Sequence, residues 1–179
     1  MDAYECIRTK LDVAEFSSRP VPMDVKMKVL EAARLTASGV NRQHWRFILV
    51  QEKGHIGRLA EDSTTGPWVR GADFAVIVLT DPSLNFHLLD AGRVLQDMQL
   101  AAWNFGVVSR PYTGMDAEKM RSDFGFPEGL RPSVVVGFGY PVRKILGRKD
   151  RKPLGDLAYL ERYGQPIPGQ SEGPEAQAL

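Results

Sequence analysis

Thr36-Ala37-Ser38-Gly39-Val40-Asn41-Arg42-Gln43-His44-Trp45-Arg46-Phe47 links a helical run, Val25 to Leu35, to a short strand-like run, Phe47 to Val50. A helix that stops in Ser-Gly-Val-Asn and resumes as a strand leaves a loop with backbone and amide groups to offer a ligand. Asn41 and Gln43 each combine donors with an acceptor, which suits the edge of a heteroaromatic ring, and Trp45 can anchor the loop in apolar surroundings. The same residues also suit an ordinary helix-to-strand connection whose Ser and Gly merely end the helix. Spacing does not separate the two readings.

Outward from this loop, helical and strand-like patterns interleave. Tyr4, Ile7 and Leu11 recur at helical spacing and predict a helix over about Ala3 to Val13. Ser17 to Pro22 is an extended connector, because proline disfavours helix in the residue before it. Asp24 helps start the next helix, with Val25, Val29 and Ala32 as its buried stripe. A short helix over His55 to Glu61 and a polar turn over Asp62 to Pro67 lead into Phe74-Ala75-Val76-Ile77-Val78-Leu79. That continuous apolar run suits a strand covered on both faces. Leu88, Ala91, Leu95, Met98, Ala102 and Phe105 mark a long helix. Val94, Leu100, Ala101 and Trp103 widen its apolar surface, so it is expected to be buried almost all round, at the centre of a dimer or in a monomer's core. Gly106 to Gly114 reads as a strand entering a turn, Met115 to Phe124 as a short helix, and Ser133 to Gly139 as the last strand. Few strands among dominant helices give an α+β fold, an α/β three-layer sandwich around a sheet of four or five strands. Residues 1–160 make the domain; 161–179, rich in Pro, Gly, Gln and Glu, make an extended tail that wraps a partner subunit or stays disordered.

The 179 residues are one domain's worth of chain, with ordinary globular proportions of 43% hydrophobic and 25% charged. A net charge of +1 gives no general electrostatic case for nucleic acid or anionic lipid. No apolar run approaches the roughly 20 residues of a membrane span, and the N-terminus lacks a secretory pattern, so a cytoplasmic protein without membrane or nucleic-acid partners is expected. Cys6 is the one cysteine, which excludes an intrachain disulfide and a cysteine-based metal site. His44, His55 and His87 are scattered without metal-ligand spacing, so no metal is expected. There is no G-x-S-x-G elbow and no Walker or G-x-G-x-x-G loop, so a phosphate has to be held by side-chain cations.

Ala37-Ser38-Gly39-Val40-Asn41-Arg42-Gln43-His44-Trp45-Arg46-Phe47 resembles the P-S-x-x-N-x-Q-P-W-x-F signature of the nitroreductase family, FMN-dependent homodimeric oxidoreductases that use NADH or NADPH. Ala37 and His44 stand where the signature has proline. The end of the first helix, registered on Phe16, is similar to the family's R-R-S-x-R-x-F element, which holds the FMN phosphate and ribityl chain. Lys10 takes the first Arg position and Asp12 the Ser position, while Leu11 and Ala14 replace residues that are usually basic. Lys149-x-Arg151-Lys152-Pro153-Leu154 resembles a late K/R-x-R-(K/R)-P-L element whose cations close over the same phosphate. Pro111-Tyr112-Thr113-Gly114 resembles the turn that sets backbone N–H groups against flavin N5, with Thr113 at the contact and Gly114 allowing close approach. Asp90-Ala91-Gly92-Arg93 with Gln96 and Met98 resembles the long helix that packs across the family's two-fold axis. Taken by themselves, the helix end and the basic segment are also what solvated surfaces look like, and Pro-Tyr-Thr-Gly is a common turn.

The resemblance implies a homodimer with two FMN sites at the subunit interface. Lys10, Leu11, Asp12, Thr113, Gly114, Lys149 and Arg151 would come from one subunit, and Ser38, Gly39 and Asn41 from the other. The implied activity passes hydride from NADH or NADPH through flavin N5 to a small acceptor such as a nitroaromatic or a quinone, with no protein acid or base required. The departures at Leu11, Asp12 and Ala14 keep an alternative open, a flavin-binding or flavin-sequestering homologue with little turnover.

Overall fold

The apolar run becomes the strand Phe74–Thr80, every residue of which is buried. Successive side chains on a strand point to opposite faces. Phe74, Val76 and Val78 accordingly enter one core cluster, and Ala75, Ile77 and Leu79 enter another. This strand is β2 of a four-stranded sheet with β1 (Arg46–Val50), β3 (Val108–Tyr112) and β4 (Arg131–Gly139), in the order β1-β2-β4-β3. All three pairings are antiparallel. The protein is described here by a computed structural model covering residues 1–145 and 147–169. It divides into two compact units, Met1–Gly147 and one that begins at Arg148.

Among the described residues of the first unit are five α-helices: α1 (Ala3–Thr9), α2 (Met23–Leu35), α3 (Lys53–Glu61), α4 (His87–Asn104) and α5 (Ala117–Phe124). Val25, Val29 and Ala33 of α2, with Ala91, Val94, Met98 and Ala102 of α4, cover one face of the sheet. Ile56 and Leu59 of α3, Met120 of α5, and Val69 of the 3-10 turn Pro67–Gly71 cover the other. The result is the expected three-layer α+β sandwich with four strands. Its doubly covered central strand arises in an antiparallel sheet, because helices from separate parts of the chain close over both faces.

Several boundaries move for local reasons. The first helix stops at Thr9, short of Val13, because the chain turns extended at Lys10 and finds a backbone partner in β3. There Asp12 bridges to Ser109, and the Val13 N–H donates to the Ser109 carbonyl at 3.0 Å. Pro22 occupies the N-cap position of α2; Asp24 sits in the first turn, where its charge suits the helix dipole. The buried position of the stripe is Ala33, one residue beyond Ala32. β4 runs through Pro132, which lies where the register with β2 shifts, and proline is tolerated at such irregularities. The all-round burial expected of α4 is not found within this chain: Leu88 and Leu89 are 62% and 59% exposed, and only the opposite side faces the core.

The second unit holds a 3-10 turn at Leu154–Asp156. Gly164, at φ +85°, reverses the chain so that Pro166 pairs with Tyr159. Residues 170–179 of the expected tail lie outside the described residues.

The start of β2 is strapped to α2 by a buried ion pair. Lys26 Nζ lies 2.9 Å from Asp73 Oδ2, and the same oxygen accepts the Val21 N–H at 3.1 Å. Removing one partner of a buried pair leaves the other uncompensated. Asp73→Ala and Lys26→Met are therefore each expected to lower the unfolding free energy by about 3 kcal/mol, as read from denaturant midpoints.

Candidate cofactor site

The loop between α2 and β1 folds against its neighbours by hydrogen bonds that begin at Ser38. Its Oγ accepts the Gln43 N–H at 2.9 Å. Between them, Val40, Asn41 and Gln43 take left-handed conformations at φ 44°, 56° and 47°. Such backbone costs a non-glycine residue about 1 kcal/mol or more, so surrounding structure has to impose it. Asp90, wholly buried in the first turn of α4, does so. Its Oδ2 accepts the Gly39 N–H at 3.0 Å and lies 3.2 Å from His44 Nε2. Its Oδ1 accepts from Arg93 at 3.1 Å. The Asp81 N–H donates to His44 Nδ1 at 3.3 Å, which leaves the ring proton on Nε2, directed at Asp90. His44, at a position where the signature has proline, thus ties the end of the loop to the helix that also ties its beginning.

Trp45 is buried in the core cluster and stacks on Phe47 at 6.3 Å. Gly39 is required by this packing, since a Cβ there would stand 2.6 Å from the Phe86 ring. Outward, Val40 is exposed, and the side-chain amide of Asn41 has no partner among the described residues.

At the end of α1, Lys10 turns inward. Its Nζ donates to Asp12 Oδ1 at 2.6 Å and to Gln99 Oε1 at 2.8 Å. The Gln99 amide in turn donates to Asp12 Oδ1 at 2.9 Å and to Ser109 Oγ at 3.0 Å. This network joins α1, α4 and β3. Lys10 is buried in this network and is not among the residues that line the neighbouring cleft. Leu11 and Asp12 line an open cleft of about 450 Å³ with Val13, Ala14, Arg110 and Lys144.

Thr113 and Gly114 leave the other end of β3. The Gly114 N–H donates to Thr65 Oγ1 at 3.2 Å, and its carbonyl accepts the Thr64 N–H at 2.9 Å. A Cβ on Gly114 would stand 2.5 Å from Thr64 Oγ1, so this glycine too answers to packing within the chain. Thr113 is exposed. The same pair of segments continues through Asp62, whose carbonyl accepts the Asp116 N–H at 2.8 Å. Asp62 is buried, and its Oδ2 has no partner among the described residues. Burial, and then the negative charge of Asp123, push its carboxyl above the ordinary value.

One chain therefore gathers Lys10, Leu11 and Asp12 at one end of β3 and Thr113 and Gly114 at the other. Ser38, Gly39 and Asn41 precede β1, on the opposite edge of the sheet. Three inter-strand steps separate the edges, about 14 Å. Lys149 and Arg151 belong to the second unit, where an Arg151 guanidinium N–H donates to the Asp150 carbonyl at 2.6 Å. Sequence reasoning missed Gln99, Ser109, Arg110 and the Asp81 amide. Gln99 left a readable trace, an uncharged polar residue inside the apolar run of α4; the Asp81 amide left none.

Asp90→Ala is expected to cost about 3 kcal/mol, because it leaves the Gly39 N–H and the His44 ring without their partner away from solvent; denaturant unfolding measures it. Asp62→Asn is expected to melt higher than the parent at neutral pH. A carboxyl whose folded pKa is raised destabilises the fold while ionised. The advantage should thus shrink as pH falls from that raised pKa toward 3.8, the unperturbed value.

The nitroreductase family model matches residues 7–82 and 59–140. A protein of Methanothermobacter thermautotrophicus, provisionally named NADH dehydrogenase/NAD(P)H nitroreductase, is 31% identical over 172 residues, covering 91% of this chain and 88% of that protein. An iodotyrosine deiodinase of Thermotoga neapolitana is 24% identical over 163 residues, covering 77% of this chain and 88% of its own. Among solved structures, a nitroreductase family protein of Clostridium difficile 630 superposes with a TM-score of 0.80 at 26% identity, covering 90% of this chain and 99% of that one. An FMN-dependent nitroreductase of Clostridium difficile R20291 gives 0.81 at 18% identity, covering 88% and 98%. With the loop, the three-layer fold and these matches in agreement, the chain belongs to the nitroreductase family.

Proposed function

We propose that this protein is an FMN-dependent oxidoreductase that passes hydride from NADH or NADPH to a small acceptor such as a nitroaromatic or a quinone, and that it works as a homodimer. The observation that carries this reading is the loop from Ser38 to Gln43. It holds left-handed backbone at three non-glycine residues and presents an unpartnered Asn41 amide outward. Strain maintained by a buried carboxylate is spent usefully when the loop receives a ligand in a preset shape. The names of the relatives support the redox class.

The residues fit a flavin nucleotide in the following roles. The Asn41 amide and the loop backbone at Ser38 and Gly39 meet the polar edge of the ring. Thr113 and Gly114 offer main chain beside it. Leu11 and Asp12 wall the tail, and side-chain cations meet the phosphate. Bound FMN supplies the hydride chemistry, so no acid or base of the chain is needed. Two features favour a homodimer. The groups fall on opposite sheet edges, and a groove of about 560 Å³ beside α4 is lined by the exposed Leu88 and Leu89. A second copy would cover those leucines and let the two sets of groups meet.

Purified protein is expected to take up FMN, to show a flavin absorption band, and to oxidise NADH or NADPH with a quinone or nitroarene present. FMN uptake without turnover would favour the flavin-sequestering alternative, and a protein that takes up no FMN would refute both. Gly39→Ala forces the Phe86 ring aside. It is expected to weaken FMN binding about tenfold, or roughly 1.4 kcal/mol, with the circular dichroism of the fold retained.

A further inference from the structure

The charges around the cleft at the end of α1 do not balance. Asp12 is engaged by Lys10 at 2.6 Å and by Gln99. Glu15 faces Arg143 at 3.4 Å. Two cations on the same cleft remain, Arg110 and Lys144, and neither meets a carboxylate among the described residues. Arg110 is held over the Trp68 ring, its guanidinium carbon 5.5 Å from the centroid. A guanidinium stacked on a ring keeps its edge donors available for oxygen ligands. The rest of the lining is largely apolar, with Leu11, Val13, Ala14, Val142 and Ile145. Two uncompensated cations on an apolar-walled cleft of about 450 Å³ suit an anion attached to a less polar body.

We infer that Arg110 and Lys144 form an anion-binding end of this cleft that takes a phosphomonoester. At neutral pH that group carries nearly two negative charges, which matches the two spare cations. Arg110 supplies paired donors to its oxygens and Lys144 a mobile point charge. The identity of the ligand as FMN rests on the function proposed above; the anion site rests on the charge balance of the cleft alone. Arg110 is placed by β3 and Lys144 by the segment after β4, ahead of the Lys149–Leu154 element.

The test compares FMN with riboflavin, which lacks only the phosphate. In the full-length protein, Arg110→Gln/Lys144→Gln is expected to raise the Kd for FMN about tenfold or more and leave that for riboflavin within twofold. It should also flatten the salt dependence of FMN binding. Each single substitution should give part of the loss, and Arg110→Lys should recover part of the Arg110→Gln effect. Equal weakening of FMN and riboflavin, or no change in either, would overturn the inference. If the parent protein binds neither flavin, the flavin reading fails, and the anion site is tested with phenyl phosphate. A rise in melting temperature that disappears in the double variant supports the site, and no rise in the parent protein refutes it.

Discussion

A single buried carboxylate holds together the parts of this protein that matter for ligand binding. Asp90 has no contact with solvent, yet it receives the Gly39 N–H, faces the His44 ring and pairs with Arg93. A buried charge is tolerable when donors surround it, and intolerable without them. The donors come from both ends of one loop and from the next turn of α4, so satisfying Asp90 closes the loop. The left-handed residues between those ends follow from that closure. Asp90 on a helix therefore shapes a segment about fifty positions earlier in the chain.

A second polar cluster does the same at the other end of α4. Gln99 bridges Lys10, Asp12 and Ser109, drawing the end of α1 onto the edge strand β3. The helix therefore carries two polar anchors on its inward side, about two and a half turns apart, each fixing a loop or terminus where ligand groups are offered. Its outward side exposes Leu88 and Leu89. The two glycines that resemble ligand-approach positions also obey this logic. Gly39 makes room for Phe86 and Gly114 for Thr64 and Thr65, so each is first a packing requirement. Loop shape and backbone access are consequences of how the chain packs on itself.

The layered core explains why the anchors can be so specific. β2 is buried throughout, with alternate residues committed to two different helical layers. Any slip of register would exchange the two faces, so the strand fixes where β1 begins and β4 ends. The Ser38–His44 loop and the cleft beside Leu11 and Ala14 inherit that rigidity, which is what a site built on loops requires.

The sequence alone determined the elements whose signal is local. Phe74 to Leu79 announced a strand covered twice, Leu88 to Phe105 a long helix, and Ser-Gly-Val-Asn a loop with donors to offer, because periodicity and turn chemistry act over a few residues. It also determined the family, through motifs whose spacing survives the loss of two prolines. Tertiary structure alone decided which charges were already spoken for. Lys10 and Asp12 satisfy each other and Gln99, Asp90 and His44 form a pair, and Arg110 and Lys144 are left over among the described residues, because electrostatic pairing depends on distance in space and no spacing rule reports it. It alone also decided that Ser38 and Asn41 lie across the sheet from Thr113, since strand order β1-β2-β4-β3 follows from how the two apolar faces are covered and not from the order of strands along the chain.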